Sequence, residues 1–191
     1  MKRLQFYKTS IEKLTLIDPF CVQDSRGYFS KVFEKEIFQS NGINLSPYEE
    51  LRSCSAKGTL RGLHFQRHYC QDKLVQVLSG AVYDVAVDLR KDSPTFGKWQ
   101  GFYLTAENRQ MLYIPKGFAH GFLALEDNTL FSYLCGDRYD PQSDGGICWN
   151  DPQIHVEWPL EKVDQMILSD KDAALPTLEE FLQTYGPLEV E

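Results

Sequence analysis

Residues 73–90 read KLVQVLSGAVYDVAVDLR. Apolar and polar side chains alternate with a period of two, and Ser79-Gly80 interrupts them. Successive side chains on a strand point to opposite faces, so this is a sheet pattern. Ser-Gly between two β-rich runs predicts a tight hairpin. In its second arm Tyr83, Val85, Val87 and Leu89 share one face, and Val82, Asp84, Ala86 and Asp88 the other. The pattern continues through WQGFYLTAEN (99–108), RQMLYIPKGFAHGFLAL (109–125) and TLFSYLC (129–135), with Pro115-Lys116-Gly117 as a turn. Residues 136–146, GDRYDPQSDGG, form a long turn-rich loop. Helix signals are few. SKVFEKEIFQSNG (30–42) spaces Val32, Phe33, Ile37 and Phe38 for one face, with Gly42 as the stop. TLEEFLQTYG (177–186) opens on a Thr177/Glu180 capping box and ends at Gly186-Pro187. Many short strands with helices near the two ends predict an all-β sandwich or barrel.

The 191 residues suit one domain. The expected division is a strand core over about 45–160 and a helical segment over about 160–191. Hydrophobic residues at 42% and charged residues at 25% are ordinary for a globular chain. No apolar run approaches the ~20 residues of a membrane helix. The start, MKRLQFYKTSIEKL, lacks a signal-peptide apolar core, so a cytoplasmic location is expected. Five cysteines without CxxC spacing argue for reduced thiols, several of them buried, and against a disulfide framework or a cysteine zinc site. A net charge of −7 carries no nucleic-acid footprint. Positive charge gathers only at RGLHFQRHYCQDK (61–73), which could serve an anionic small molecule or be a solvated loop.

Small antiparallel jelly rolls, the cupins among them, hold their sites in the barrel mouth. Many cupins bind metal through two histidines one residue apart. Here His64-Phe65-Gln66 lacks the second, and none of His64, His68, His120 and His155 are spaced that way. No metal site is expected, since one needs three or four converging ligands.

The segments RGLHFQ, KLV, GAVYDVAVDLRKDSPTFGKW, LTAEN, YIPKGFAHGF, WND and EWP occur in this order along the chain. In number, order and spacing they resemble the dTDP-4-dehydrorhamnose 3,5-epimerase family, from about Asp24 to Pro176. The resemblance implies a cupin jelly-roll barrel, a homodimer with an exchanged N-terminal strand, and a nucleotide diphosphate-sugar substrate. It also implies epimerisation beside a 4-keto group with no cofactor, because the ketone itself acidifies the protons at C3 and C5. Such chemistry needs a base, an acid and a group that stabilises the enolate oxygen.

By resemblance His64 is the base and Asp172 the carboxylate that orients it, with Asp170 the competing assignment. Tyr133 is the proton donor, and Lys73 stands by the keto oxygen. Arg61 meets the diphosphate, and Arg26, His120, Asp144 and Lys171 match substrate-contacting positions. Each also has a plainer reading. His64 could be a core histidine, Tyr133 a strand aromatic, Lys73 a surface lysine, His120 a turn-flanking histidine and the aspartates solvated loop groups. Asp84 is a buried polar residue without an assigned role. Arg61 and His64 are three apart and would face opposite sides of a regular strand, so a bulge at Gly62 is expected if they are to act together.

The chain departs from the family pattern at several points. EELRS (49–53) stands where the family carries a QDNHS-like segment, so Glu49 and Leu51 replace a glutamine and an asparagine that help hold the base. Lys31 replaces a frequent glutamate, and Leu134 the usual lysine after the tyrosine. Ionised glutamate only accepts hydrogen bonds. A GDP- or CDP-linked 4-keto-6-deoxy sugar inverted at C3 or C5 is therefore the nearest alternative. A metal-dependent cupin and a non-catalytic sugar-binding cupin are the others.

Overall fold

The computed structural model describes residues 4–190. Two antiparallel sheets face each other, as the alternating pattern predicts. The six-stranded sheet runs in the order β1 (Gln5–Lys8), β2 (Thr15–Asp18), β10 (Met111–Ile114), β7 (Lys73–Ser79), β12 (Thr129–Cys135), β5 (Glu49–Ser55). The five-stranded sheet runs β13 (Asp144–Gly146), β6 (Leu60–Gln66), β11 (Phe118–Ala124), β8 (Ala81–Asp88), β9 (Trp99–Thr105). A separate hairpin joins β3 (Phe20–Asp24) to β4 (Gly27–Lys31). Among the described residues three α-helices, α1 (Lys35–Ser40), α2 (Asp170–Ala173) and α3 (Leu178–Tyr185), and a short 3-10 turn at Leu160–Lys162 complete the fold.

Three apolar layers hold it together. Between the sheets lie Val75, Val77, Val82, Ala86, Leu112, Phe122 and Phe131. Outside the five-stranded sheet, Leu63, Phe65, Val85 and Val87 pack on Trp158, Leu178, Phe181 and Leu188 of the C-terminal segment. Outside the six-stranded sheet, Ile17, Leu74 and Met111 pack on Phe38 of α1. Each fully buried side chain of this size contributes about 1.5–3 kcal/mol.

The facing expected for residues 82–89 holds. Val82 and Ala86 enter the inter-sheet core beside a fully buried Asp84, while Tyr83, Val85, Val87 and Leu89 face outward onto the C-terminal layer. The expected hairpin at Ser79-Gly80 does not form. β7 pairs with β10 and β12, whereas β8 pairs with β11 and β9 in the other sheet. Gly80, at φ +80°, turns a corner between the sheets, and a Cβ there would lie 2.4 Å from Thr129 Oγ1. A tight hairpin and a sheet corner both need a residue with positive φ. The distant partners Leu130 for Ser79 and Thr105 for Ala81 select the corner.

The helix expected over 30–42 is shorter, because Ser30 and Lys31 pair within β4. Its apolar spacing survives in Phe38, which is fully buried, and Gly42 follows at φ +79°. α3 forms with the complete Thr177/Glu180 capping box. All five cysteines are free, but only Cys135 is fully buried and Cys54 is exposed. None of the described helices is long and apolar enough to cross a membrane.

Candidate active site

The bulge expected at Gly62 is present. β11 pairs His120 with His64 and Phe122 with Arg61, so two steps on β11 match three on β6. Gly62 holds φ +127°, and a Cβ there would lie 2.6 Å from Gly121 Cα. The extra residue turns Arg61 and His64 to one face. Leu60 and Leu63 pack in the outer layer, so that shared face is the inner one.

Three rows of side chains cross the inner face of the opposite sheet. Register aligns Glu49, Cys135 and Lys73, then Leu51, Tyr133 and Val75, then Ser53, Phe131 and Val77. The barrel mouth therefore lies between edge strand β5, carrying Glu49 and Leu51, and the β13–β6 edge, carrying Asp144, His64 and Arg61. Arg61 Nε donates to Ser55 Oγ across that mouth at 3.2 Å.

His64 Nε2 lies 2.6 Å from Asp172 Oδ1. Asp172 is buried in α2, where its backbone N–H donates to Ser169 Oγ, whereas Asp170 is exposed and makes no such contact. Burial alone would raise the Asp172 pKa. The hydrogen bond and charge of His64, with further bonds from Gly62 and Ser169, outweigh it and hold the carboxyl below its ordinary value. An ionised Asp172 only accepts, so Nε2 carries the proton and Nδ1 keeps a lone pair. The His64 side chain is 31% exposed, enough for a ligand to reach it.

Across the barrel, burial pushes the Tyr133 hydroxyl above the usual tyrosine range. The Asp84 charge adds to this, and the neighbouring Ser53 hydroxyl and Arg61 charge oppose it. Tyr133 therefore stays protonated well beyond neutral pH. Its ring meets Phe131 edge-on at 4.8 Å and His120 at 6.0 Å. Burial also lowers the Lys73 pKa, against the opposing pull of Cys135, Asp144, Asp84 and Glu49. His120 Nε2 lies 2.8 Å from Asp84 Oδ2, and both residues are buried.

At one end of the mouth Lys171 Nζ donates to Asp144 Oδ2, which also accepts from Tyr139 Oη at 3.0 Å. Glu49 accepts from Gln71 Nε2 at 2.9 Å, and Leu51 is 43% exposed. The fold thus gathers His64, Asp172, Tyr133, Lys73, Arg61, His120, Asp144, Lys171, Glu49 and Leu51 around one mouth. Arg26 stands apart at the tip of the β3–β4 hairpin, exposed and paired with Asp24 at 2.6 Å. Sequence reasoning missed Ser53, Ser55, Gln71 and Tyr139, whose only signal is the register that sets them beside functional groups. Among the described residues no cluster of three or more His, Cys, Asp or Glu could hold a metal ion. Two surface clefts of about 660 and 750 Å³ flank the tail at Leu188–Val190 and contain neither His64 nor Tyr133.

The family model for dTDP-4-dehydrorhamnose 3,5-epimerase matches residues 8–180. The chain belongs to this family. Two epimerases of that name are close relatives. The one from Methanothermobacter thermautotrophicus is 49% identical over 172 residues, covering 90% of this chain and 93% of the relative. The one from Escherichia coli is 48% identical over 178 residues, covering 92% and 95%. The crystal structure of the dTDP-6-deoxy-D-glucose-3,5-epimerase of Legionella pneumophila, in complex with dTDP-4-keto-L-rhamnose, superposes with a TM-score of 0.93 at 41% identity, covering 99% of this chain and all of that one. The two-sheet barrel is accordingly the cupin-like jelly roll of the dTDP-4-dehydrorhamnose 3,5-epimerases, with His64 on one sheet and Tyr133 on the other.

Proposed function

We propose that this chain, as a single epimerase domain over its whole length, converts dTDP-4-dehydro-6-deoxy-D-glucose to dTDP-4-dehydro-L-rhamnose. It is an isomerase that needs no cofactor, because the 4-keto group makes the neighbouring C–H bonds acidic. The observation that carries the reading is the placement of His64 and Tyr133 on opposing sheets. Inversion requires a proton to leave one face of a carbon and another to arrive on the opposite face.

In the first half of each inversion, His64 Nδ1 removes the proton next to the ketone and the C–H electron pair moves into an enolate. Asp172 stabilises the resulting imidazolium. Lys73 lies where an ammonium can stabilise the enolate oxygen. In the second half, Tyr133 Oη delivers its proton to the opposite face and the enolate collapses to the ketone. His64 then returns its proton to solvent, and Tyr133 regains one. Arg61, with Lys171 at the far end of the mouth, suits the diphosphate.

The enzyme acts as a homodimer in this account. The β3–β4 hairpin belongs to neither main sheet and leaves Val22, Tyr28 and Phe29 exposed, the last at 66%. An isolated two-stranded hairpin is marginal in water, so a second copy is its natural support. Arg26 at its tip then reaches the partner's diphosphate rather than its own. Phe29→Ser should sediment as a monomer, and an unchanged dimer would contradict this arrangement.

Glu49 and Leu51 support a second reading, a GDP- or CDP-linked substrate, since a carboxylate accepts from bases that present N–H donors. Purified enzyme offered the dTDP-, GDP- and CDP-linked 4-keto-6-deoxy sugars separates the two. Conversion of the dTDP sugar, inverted at C3 and C5, is expected. Turnover of only the GDP or CDP sugar would overturn the thymidine assignment, and inversion at one carbon would overturn the double epimerisation.

A further inference from the structure

Gln66 stands two residues beyond His64, where a metal-binding cupin would carry its second histidine. Leu63 and Phe65 pack in the outer layer, so His64 and Gln66 face inward. The Gln66 side chain is buried, and its amide is taken up by backbone. Nε2 donates to Tyr69 O at 2.8 Å and to Arg138 O at 3.0 Å, and Oε1 accepts from the Asp140 N–H at 2.7 Å. Arg138 and Asp140 lie three and five residues past the end of β12 at Cys135, on the loop that leaves the Tyr133 strand. The far end of that loop is fastened to β6 by β13, where Asp144 pairs with Gln66. Between the two ends, Asp140 O accepts from the N–H groups of Ser143 and Asp144. One amide on the base-bearing strand thus clasps the loop from the acid-bearing strand, and those strands belong to opposite sheets.

We propose that Gln66 is a positioning residue that sets the gap between the two sheets at the mouth, so that the Tyr133 hydroxyl delivers its proton to the face opposite His64. Removing the amide leaves two buried carbonyls and an N–H without their partner, and a shift of the loop relieves that cost. The shift carries the end of β12 with it. A displacement of about 1 Å at a reacting group is enough to cost on the order of 10²-fold in rate. This inference deepens the epimerase reading, on which the consequence for Tyr133 rests, but the clasp itself is measurable without substrate.

The test follows dTDP-4-dehydro-6-deoxy-D-glucose in heavy water by proton NMR, with Gln66→Met and Gln66→Glu beside the natural protein. Glutamate keeps the size of the side chain and the acceptor for the Asp140 N–H, but an ionised carboxylate has no N–H for the two carbonyls. His64 still exchanges the proton beside the ketone, whereas inversion needs Tyr133 in place. The ratio of exchange in unconverted substrate to inversion should therefore rise by roughly tenfold or more in both variants. Loss of folded protein alone lowers both rates by one factor and leaves their ratio unchanged. An unchanged ratio in either folded variant overturns the proposal. Should neither variant fold, amide hydrogen exchange of the natural protein decides. The Asp140 amide should be as protected as the amides of β6, and exchange at the rate of an exposed loop overturns the clasp. An inactive natural protein with a protected Asp140 amide would sink the epimerase reading and leave the clasp standing.

Discussion

The molecule contains two histidine–carboxylate pairs on neighbouring strands of one sheet, and they differ in access. His64 and His120 are register partners on β6 and β11. His64 pairs with Asp172 from a helix outside the sheet and remains 31% exposed on its side chain. His120 pairs with Asp84 from the adjacent strand, and both lie within the core beside Phe131. The contacts are nearly equal, at 2.6 and 2.8 Å. What separates the pairs is that Gly62 bulges β6 and opens one toward the mouth, while regular pairing seals the other. Equal chemistry at unequal access gives a base in one place and a buried structural pair in the other.

Substitutions can break this contrast. The largest effect belongs to His64→Ala. Loss of the general base should lower kcat by roughly 10²–10⁴, and stability should fall too, though by less than for His120→Ala, because the His64 side chain is 31% exposed while its partner Asp172 is buried. An equal fall in stability would mean that the two pairs are alike. His120→Ala should show the larger stability loss in urea unfolding. Removing one partner of a buried pair leaves Asp84 Oδ2 without its contact and costs about 3–5 kcal/mol. A cost below about 1 kcal/mol would deny the internal pair its structural role.

A smaller effect concerns acid. The folded pKa of Asp172 lies below its unfolded value near 3.9. Its ionisation therefore stabilises the fold above about pH 4, and that contribution disappears as pH falls through the folded value. The stability advantage of the natural protein over Asp172→Asn should shrink as the pH falls below about 4. An advantage that grew on acidification would contradict the depressed carboxyl.

Strand positions and facing were legible because a period of two is a local property. β12 spans the same residues, 129–135, as the run TLFSYLC. Partner choice was not legible, and Gly80 is the plainest case, since one positive φ serves a hairpin or a corner. The Gly62 bulge could be anticipated from the demand that Arg61 and His64 share a face. The early strands β1 to β4 carry weak alternation, and β4 took the first two residues of an expected helix. At the site, the resemblance chose Asp172 over Asp170, and α2 supplies the physical reason, because, two positions apart on that helix, the first is buried and the second exposed. The contacts that bring Ser55 to Arg61 and Gln71 to Glu49 depend on strand register, which no local pattern states.

The central claim is that acid and base act from opposing sheets, and separating exchange from inversion tests it most directly. Proton NMR in heavy water would follow dTDP-4-dehydro-6-deoxy-D-glucose with the natural protein, His64→Ala and Tyr133→Phe. The account predicts deuterium at C3 and C5 with inversion for the natural protein, and neither for His64→Ala. Tyr133→Phe should still exchange, but with retained configuration, because only His64 is left to return the proton. Inversion by Tyr133→Phe at the natural rate, or persistent exchange in His64→Ala, would contradict it.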